Sequence, residues 1–397
     1  IEPFLADRDT PTPVCAFEII RRGCAGGINF TASHNPAEYQ GIKFSPSNGG
    51  PASKELTLSL EARIAELQAT DVVPELGPEP QSRIDPSPDY KKRIAEIVDL
   101  AAIKSSGQKI LVNCLYGTSR GYLDDILRDA GCDVTVMNNE INPGFGGLPP
   151  EPAPEFVKDF TTRLNSEGFD IGLATDGDAD RFGIFGPDDL APNANFILAL
   201  LLDHLVTSRN WKGTVVRSVA TSHFVDEVAK LHGCEVIEVP VGFKWIAAEM
   251  EKNPEGFVIG GEESGGLTIR GHVPEKDGIL ACLLVAEMVA QSGKTLAQLI
   301  VDLQKRTKVI ESRRVNIHYK PEEKEALLAV ASGDQTEIAG RKVVKKIDID
   351  GYKFLLDDAS WLMLRFSGTE PVIRLYIESG PDFIDELEAA GRSLLGH

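Results

Sequence analysis

Hydrophobic positions along this chain alternate between helical spacing and short continuous runs, the pattern of strands connected by helices. Between residues 13 and 20 apolar side chains recur at helical spacing, and "AGGINF" (25–30) then predicts a strand. The stretch "ELTLSLEARIAELQA" (55–69) predicts an amphipathic helix. Together these segments indicate one α/β unit.

The same plan is repeated twice farther along the chain. In the first repeat, helical patterns at "GYLDDILRDAG", closed by Gly131, and "EFVKDFTTRLNSEG" separate the predicted strands "KILVNCL", "CDVTVMN" and "FDIGLATDGDADRFGIF". In the second, from about residue 196 to 303, the predicted strands are "GTVVRSV", "CEVIEVPV" and "GFVIGGEESGG". Alternation of this kind predicts mostly parallel sheets covered by helices.

The C-terminal part has a different pattern. A helical segment, "PEEKEALLAVAS", precedes "RKVVKKIDIDGYKFLLDD", in which Asp350-Gly351 predicts a hairpin turn. Two further strand patterns, "SWLMLRFS" and "VIRLYIES", and a closing helix follow. We therefore expect an α+β domain with an antiparallel sheet at this end.

A proline-rich and acidic stretch, "DVVPELGPEPQSRIDPSPDY" (71–90), predicts an interdomain linker, because proline cannot continue a helix or a central strand. It indicates a domain boundary near residue 85. The chain opens at Ile1 with a loop that leads at once into a helical pattern. We expect the first domain to be incomplete at its N-terminal end.

Composition limits the function. A chain of 397 residues, 42% of them hydrophobic, is too long for one core and predicts several domains. A net charge of −19 argues against nucleic acid or an anionic membrane surface as a partner, so an anionic substrate needs a local basic pocket. The six cysteines form no CxxC pair, which is typical of a reducing compartment, and no apolar run reaches the length of a membrane span. We expect a cytoplasmic protein.

The stretch "TASHNPAEYQGIK" (31–43) concentrates reactive side chains just after a predicted strand. Strand ends of this kind hold the ligand sites of open α/β sheets. Ser33 by itself is typical of a turn or a cap. The neighbouring His34 and Lys43 favour a nucleophile, since a hydroxyl needs a base or a cation nearby to become reactive.

A second cluster, "TDGDADR" (175–181), carries carboxylates at Asp176, Asp178 and Asp180. Three like charges held close together repel one another unless a divalent cation neutralises them. An EF-hand is disfavoured, because the loop positions that require glycine and glutamate hold Arg181 and Pro187. A solvated acidic loop is the alternative, and Mg²⁺ is the favoured interpretation.

Two weaker clusters complete the set. "GGEESGG" (260–266) follows the predicted strand "FVI" and offers Glu262 and Ser264 to sugar hydroxyls, although a flexible turn also explains it. "RFSGTEP" (365–371) combines Arg365 with hydroxyls and backbone N–H groups, which suits a phosphate but also a polar hairpin.

With these clusters in order, the whole chain resembles the α-D-phosphohexomutase superfamily, which includes phosphoglucomutases and phosphomannomutases. "TASHNP" looks like its phosphoserine loop, "DGDADR" its metal loop, "GEESGG" its sugar-reading loop and "RFSGTEP" its phosphate-binding loop. The resemblance implies an α/β fold of four domains, three with mixed α/β sheets and a C-terminal α+β domain with an antiparallel sheet. The boundaries would be 1–85, 86–189, 190–307 and 308–397.

The resemblance also implies roles for individual residues. Ser33 would carry the phosphoryl group, and one Mg²⁺ per chain would be held by a phosphoserine oxygen together with Asp176, Asp178 and Asp180. The groups around the transferring phosphate would be His34, Lys43, Lys276 and Arg181. Residues that would bind the sugar or the non-reacting phosphate are Gly242, Lys244, Glu262, Ser264, Arg365, Ser367, Gly368, Thr369 and Arg374.

The implied reaction interconverts hexose 1-phosphate and hexose 6-phosphate, with glucose 1,6-bisphosphate as intermediate and activator, in a monomer or homodimer. Some bifunctional members have a histidine where this chain has Gly266, whereas "HVPEKDG" (272–278) and "GFKWI" (242–246) resemble the phosphoglucomutase branch. Glucose phosphate is therefore the expected substrate. The alternatives are a phosphoglucosamine mutase, which usually has Gln in place of Glu263, a Mg²⁺-dependent sugar phosphatase, and a silent sugar-phosphate binding protein. The family's N-terminal arginine loop, "TSGLRG", is not found here.

Overall fold

The computed structural model describes residues 2–70, 73, 75, 77, 82–368 and 370–396. The N-terminal region contains short elements in the order β1 (Phe4–Ala6), α1 (Thr12–Arg22), β2 (Gly26–Phe30), β3 (Ile42–Pro46), α2 (Lys54–Gln68) and β4 (Ser82–Ile84). Strands β1 and β4 pair in parallel, and β2 and β3 form an antiparallel pair. The predicted amphipathic helix is confirmed as α2, but none of its residues is buried, so its apolar side chains face solvent.

The second region is an α/β unit, and its elements are α3 (Ser87–Ile97), α4 (Leu100–Ser106), β5 (Lys109–Asn113), α5 (Leu123–Asp129), β6 (Asp133–Met137), α6 (Lys158–Ser166), β7 (Ile171–Thr175) and β8 (Phe182–Phe185). Its sheet has the order β6-β5-β7-β8. The pairs β5–β6 and β5–β7 are parallel, while β8 runs antiparallel to β7.

Two expectations in this region need correction. Residues 169–185 do not form one strand, because the chain reverses between β7 and β8 and leaves 176–181 as the connecting loop. The linker interpretation of 71–90 was wrong at its end, since α3 begins at Ser87. Pro88 is accommodated in the first turn, where its missing N–H has no helical partner to lose. Residues 71–72, 74, 76 and 78–81 of that stretch lie outside the described residues.

The third region repeats the plan with α7 (Ala194–Arg209), β9 (Thr214–Ser218), α8 (Phe224–His232), β10 (Glu235–Val239), α9 (Phe243–Lys252), β11 (Phe257–Gly261), β12 (Leu267–Ile269), α10 (Gly278–Ser292) and α11 (Leu296–Arg306). The sheet order is β10-β9-β11-β12, with only β12 antiparallel. Helix α10 is buried from Gly278 to Val289, as expected of a helix that is apolar all round. It packs against both the second and the third sheets and so forms their common core.

The C-terminal region is the expected α+β domain, with β13 (Glu311–His318), α12 (Lys324–Ser332), β14 (Glu337–Ile338), β15 (Arg341–Ile347), β16 (Tyr352–Leu356), β17 (Trp361–Phe366), β18 (Val372–Ser379) and α13 (Ile384–Leu394). The antiparallel order is β13-β18-β17-β16-β15-β14. Strand β13 extends the sheet beyond the predicted strands. This domain has its own hydrophobic core, which is separate from the core around α10.

Among the described residues, no single helix has both the length and the apolar composition to cross a membrane. Helices α10 and α11 pass that test only as a pair, and they are bent by 80° relative to each other.

Candidate active site

The loop after β2 brings the predicted nucleophile to the predicted metal loop. Ser33 Oγ donates a hydrogen bond to Asp176 Oδ2 at 3.0 Å, and His34 Nδ1 lies 3.3 Å from the same hydroxyl. Ser33 has a left-handed φ of 56°, a conformation that its N–H hydrogen bond to Thr31 Oγ1, at 2.8 Å, stabilises. A Cβ on Gly177 would lie 2.5 Å from the Ser33 carbonyl oxygen, so the approach of the two loops requires glycine there.

The three predicted metal ligands are buried together in the turn between β7 and β8. Asp176, Asp178 and Asp180 are 0%, 3% and 1% exposed, and their ligand oxygens lie within 4.8 Å of one another. Burial raises the pKa of Asp176 well above its usual range, and the negative charges of Asp180 and Asp178 raise it further. Burial alone would raise the pKa of Asp180 as well, but Lys276 and Lys43 hold it below its usual range.

The donor set fits a hard divalent cation. Asp178 Oδ1 and Asp180 Oδ1 are buried and have no hydrogen-bond partner, whereas the second oxygen of each carboxylate is held by protein donors. Asp176 is held in the same way, since its Oδ1 accepts from the Arg181 N–H at 2.9 Å. Buried carboxylate oxygens without a partner are costly, and a cation such as Mg²⁺ would satisfy them.

Cationic side chains surround this cluster. Lys43, on β3, lies 2.8 Å from Asp178 Oδ2 and 3.2 Å from Asp180 Oδ2, and Lys276 Nζ lies 3.0 Å from Asp180 Oδ2. Arg181 Nη1 lies 3.5 Å from His34 Nε2. Burial, followed by the Arg181 charge, lowers the pKa of His34 to about 4. His34 is therefore a neutral imidazole at neutral pH.

The loop after β11 joins this cluster from the third domain. Phe182, at the start of β8, donates its N–H to the Gly265 carbonyl at 3.1 Å, so the sugar-reading and metal loops touch. Glu262 Oε1 accepts from the Gly242 N–H at 2.7 Å, which brings two predicted sugar-binding residues together. Burial, with Glu263 as the second cause, raises the pKa of Glu262 to about 7. Ser264, in the same loop, is half-buried.

Lys244 lies in the first turn of α9, and its described contact is with the ring of Trp245, 5.2 Å from its centroid. The structure therefore does not place Lys244 against Glu262. Gly242, by contrast, is at the start of this helix and in contact with the sugar-reading loop.

The fourth loop lies between β17 and β18. Arg365 and Arg374 are directly opposite each other in the antiparallel register, and an anion between them would relieve their repulsion. Ser367 is buried and Gly368 is exposed, while Thr369 lies outside the described residues. Arg365 Nε is 3.1 Å from Asp350 Oδ2, which also accepts from the Val241 N–H at 3.0 Å. These contacts connect the phosphate-binding loop to the loop before α9.

Sequence reasoning missed three side chains that support the metal loop. Thr12, Thr31 and Asn29 form a hydrogen-bonded group on the first domain, and both threonine hydroxyls donate to Asp178 Oδ2. Thr12 is 166 positions from Asp178, so no spacing in the sequence indicates the contact. Thr31 opens the "TASHNP" stretch, but its side chain carries no signal that separates it from an ordinary turn residue.

Family models match the chain in four consecutive parts. They are described as phosphoglucomutase/phosphomannomutase alpha/beta/alpha domains I, II and III, at residues 2–71, 88–189 and 193–307, and the C-terminal domain, at 314–387. The curated relatives include a phosphoglucomutase/phosphomannomutase of Thermococcus kodakarensis, 31% identical over 93% of this chain and 78% of the relative. They also include a probable phosphoglucosamine mutase of Methanopyrus kandleri, 30% identical over 93% of this chain and 78% of the relative.

Among solved structures, a putative phosphomannomutase from Thermus thermophilus superimposes with a TM-score of 0.84 and 30% sequence identity. The match covers 99% of this chain and 84% of that one. The similarity therefore extends over all four parts of the fold.

Proposed function

Because this chain belongs to the phosphoglucomutase/phosphomannomutase family and is thus an isomerase of the phosphohexomutase class, we propose that it interconverts glucose 1-phosphate and glucose 6-phosphate through a phosphoserine at Ser33. The observation that supports this most strongly is the meeting of the Ser33 hydroxyl with Asp176 Oδ2 at 3.0 Å, beside two unpartnered buried carboxylate oxygens. A serine that carries a phosphoryl group needs such a site to neutralise its charge.

Asp176, Asp178 and Asp180 would hold one Mg²⁺ together with an oxygen of the phosphoserine. When bound, the ion neutralises negative charge on the phosphoryl oxygens. Lys43 and Lys276 already contact the Oδ2 atoms of Asp178 and Asp180, and burial by itself opposes the positive charge of the two lysines. The neighbouring aspartates nevertheless raise the pKa of each lysine, so both stay cationic and add to the neutralisation.

The reaction proceeds in two transfers of one phosphoryl group each. Ser33 gives its phosphoryl group to the free hydroxyl of the hexose phosphate, which forms a 1,6-bisphosphate and leaves the serine hydroxyl free. The bisphosphate reorients and returns its other phosphoryl group to Ser33. The neutral imidazole of His34, 3.3 Å from Ser33 Oγ, can accept a proton during these steps. Added glucose 1,6-bisphosphate would phosphorylate Ser33 directly and so activate the enzyme.

The sugar and its second phosphate are assigned to the remaining loops. Glu262 and Ser264 would bind the O3 and O4 hydroxyls, with Gly242 beside Glu262, and Lys244 would approach the sugar from the first turn of α9. Arg365, Arg374, Ser367, Gly368 and Thr369 would hold the phosphate that does not react.

Glucose phosphate is proposed as the best substrate because "HVPEKDG" and "GFKWI" are the phosphoglucomutase-like forms of their loops. A phosphoglucosamine mutase is the second candidate, since relatives named as such match as well as those named phosphoglucomutase. Glu263 favours glucose phosphate as the substrate, because glucosamine-specific members usually carry glutamine at this position. Its carboxylate accepts a hydrogen bond from Ser218 Oγ at 3.0 Å.

The proposed function can be tested by measuring the intact mass of the protein and its turnover of several sugar phosphates. The intact mass of the purified protein should include a phosphate adduct that the Ser33→Ala variant lacks, and that variant should not turn over. The parent should use glucose 1-phosphate best, mannose 1-phosphate within roughly two orders of magnitude in kcat/KM, and glucosamine 1-phosphate poorly. A higher kcat/KM for glucosamine 1-phosphate would make the second candidate correct. Release of inorganic phosphate without hexose 6-phosphate would instead identify a phosphatase.

A further inference from the structure

One oxygen of Asp178 is crowded with donors while the other has none. Asp178 Oδ2 accepts from Thr12 Oγ1 at 2.8 Å, from Thr31 Oγ1 at 3.0 Å and from Lys43 Nζ at 2.8 Å. Asp178 Oδ1 is buried without a hydrogen-bond partner. The carboxylate is therefore fixed in rotation, with one oxygen turned to the protein and the other left free.

The two hydroxyl donors are themselves oriented by other donors. Asn29 Nδ2 donates to Thr12 Oγ1 at 2.7 Å, and the Ser33 N–H donates to Thr31 Oγ1 at 2.8 Å. A hydroxyl has one proton and two lone pairs. Because each threonine oxygen already accepts a hydrogen bond, its single proton is directed to Asp178 Oδ2.

We propose that Thr12 and Thr31 are positioning residues that make Asp178 a one-oxygen ligand for the divalent cation, an inference that rests on the metal site of the proposed function. Both belong to the first domain, whereas Asp178 belongs to the second. The Thr31 hydroxyl also links the metal ligand to the backbone of the nucleophile, since it accepts from Ser33 and donates to Asp178.

The consequence is a preference between metals. Mg²⁺ takes six oxygens in a compact arrangement and usually binds carboxylates through one oxygen, whereas Ca²⁺ accepts two-oxygen carboxylates and a larger shell. Because Asp178 cannot turn its second oxygen to the ion, we expect its carboxylate to favour Mg²⁺ over Ca²⁺. Losing one hydroxyl donor would let Asp178 rotate, which weakens Mg²⁺ binding while Ca²⁺ binding is largely retained.

The experiment measures Mg²⁺ and Ca²⁺ affinity of the dephosphorylated full chain by thermal-shift titration, for Thr12→Val and Thr31→Val beside the parent. Valine has nearly the same shape as threonine and carries a methyl group in place of the hydroxyl. Each variant should bind Mg²⁺ about tenfold more weakly, as is typical when a group holding a metal ligand is lost, and Ca²⁺ less than about threefold more weakly. The conservative Thr12→Ser variant should recover the Mg²⁺ affinity and shows that the valine effect is not a folding defect.

Thr118→Val is the matched control, because the Thr118 hydroxyl donates to the Gly177 carbonyl of the same loop at 3.2 Å and, within the described part of the chain, has no hydrogen bond to a carboxylate. It should leave the ratio of Mg²⁺ to Ca²⁺ affinity unchanged. The proposal would be overturned if the affinities for Mg²⁺ and Ca²⁺ fell equally in all three valine variants. It would also be overturned if the Mg²⁺ affinity of Thr12→Val and Thr31→Val were unchanged. A parent that binds neither metal would overturn it as well. A parent that shows the expected selectivity but no mutase activity would contradict the proposed function alone.

Discussion

At the scale of single residues, the fold shifts the pKa of Glu262 to near neutral pH. Its side chain is 7% exposed, beside the carboxylate of Glu263, and burial raises its pKa from an ordinary value of 4.5 to about 7. The folded state therefore binds this proton more tightly than the unfolded chain does. The stability that the protonated form contributes is present in full below about pH 4.5 and is lost as the pH rises through about 7.

Glu262→Gln should remove this dependence, because glutamine resembles the protonated acid and keeps an oxygen for the Gly242 N–H. At pH 8 the variant should be more stable than the parent by on the order of 2–3 kcal/mol, and the difference should vanish towards pH 4.5. Thermal unfolding midpoints measured across this pH range provide the test. Glu255→Gln, at an exposed site just before β11, is the control and should follow the parent. If the unfolding midpoints of Glu262→Gln and the parent changed with pH in the same way, the expectation would be contradicted.

The residues of the candidate site divide into those that sequence reasoning could find and those it could not. Ser33, Asp176 and Glu262 follow predicted strands, and strand ends meet at one edge of a sheet, so their approach was predictable from local pattern. Thr12 was not predictable, because its role depends on a contact across two domains. The neutral state of His34 also depends on burial and on Arg181, which a motif does not report.

At the scale of elements, the connection from β11 through β12 to α10 positions Lys276. A Cβ on Gly266 would lie 2.3 Å from Lys276 Cδ, so the lysine stem occupies the space of any side chain at 266. Lys276 is also held by Glu275 at 2.8 Å and Asp180 at 3.0 Å. A histidine side chain at 266 is therefore incompatible with Lys276 in this position.

Gly266→Ala should displace Lys276 from Asp180 and lower kcat by about tenfold or more, because a buried charge pair would be broken. KM should change less, since the substrate contacts proposed for Glu262 and Arg365 are not directly altered. Steady-state kinetics with glucose 1-phosphate measure both values. Gly380→Ala serves as the control, because a Cβ there meets nothing within 4 Å. If Gly266→Ala and Gly380→Ala gave the same kcat, the positioning of Lys276 by this turn would be excluded.

Strong patterns decided which elements could be predicted. Helices α5 and α6 and the Asp350-Gly351 turn between β15 and β16 were found because periodicity and turn chemistry are local. The reversal between β7 and β8 was missed, since 169–185 is apolar at both ends and its polar middle belongs to the metal loop. Helix α2 was found, but not its full exposure, which depends on what packs beside it.

At the scale of the whole molecule, the fourth domain is attached differently from the others. The second and third domains share the core around α10, whereas the fourth contacts the third through a smaller cluster that includes Trp361 and Val219. This contact is partly polar, because the buried Lys353 Nζ donates to the Val219 carbonyl at 2.8 Å. Small and partly polar interfaces between domains usually permit relative motion. We therefore expect the fourth domain to close over the substrate.

Arg374 should control that closure, because it lies opposite Arg365 in the phosphate-binding loop and both would grip the substrate phosphate. In protein carrying Ser33→Ala, which prevents turnover, glucose 1,6-bisphosphate should lower the radius of gyration measured by small-angle X-ray scattering. Adding Arg374→Ala should raise the ligand concentration at the midpoint about tenfold or more, since hydrogen bonds to charged groups are worth roughly 1.5–3 kcal/mol. In the active enzyme the same change should raise KM more than it lowers kcat.

Arg341→Ala is the matched control for this last prediction. Arg341 is exposed at the start of β15 in the same domain, and β15 is not adjacent to β18 in the sheet. Its side chain lies 3.6 Å from the Asp358 carboxylate. Its loss removes the same charge from the domain without touching the phosphate-binding loop, so the midpoint should match the parent. A midpoint that shifted equally in both variants would mean that the domain's overall charge attracts the ligand. A midpoint unchanged by Arg374→Ala would mean that closure, if it occurs, does not depend on the paired arginines.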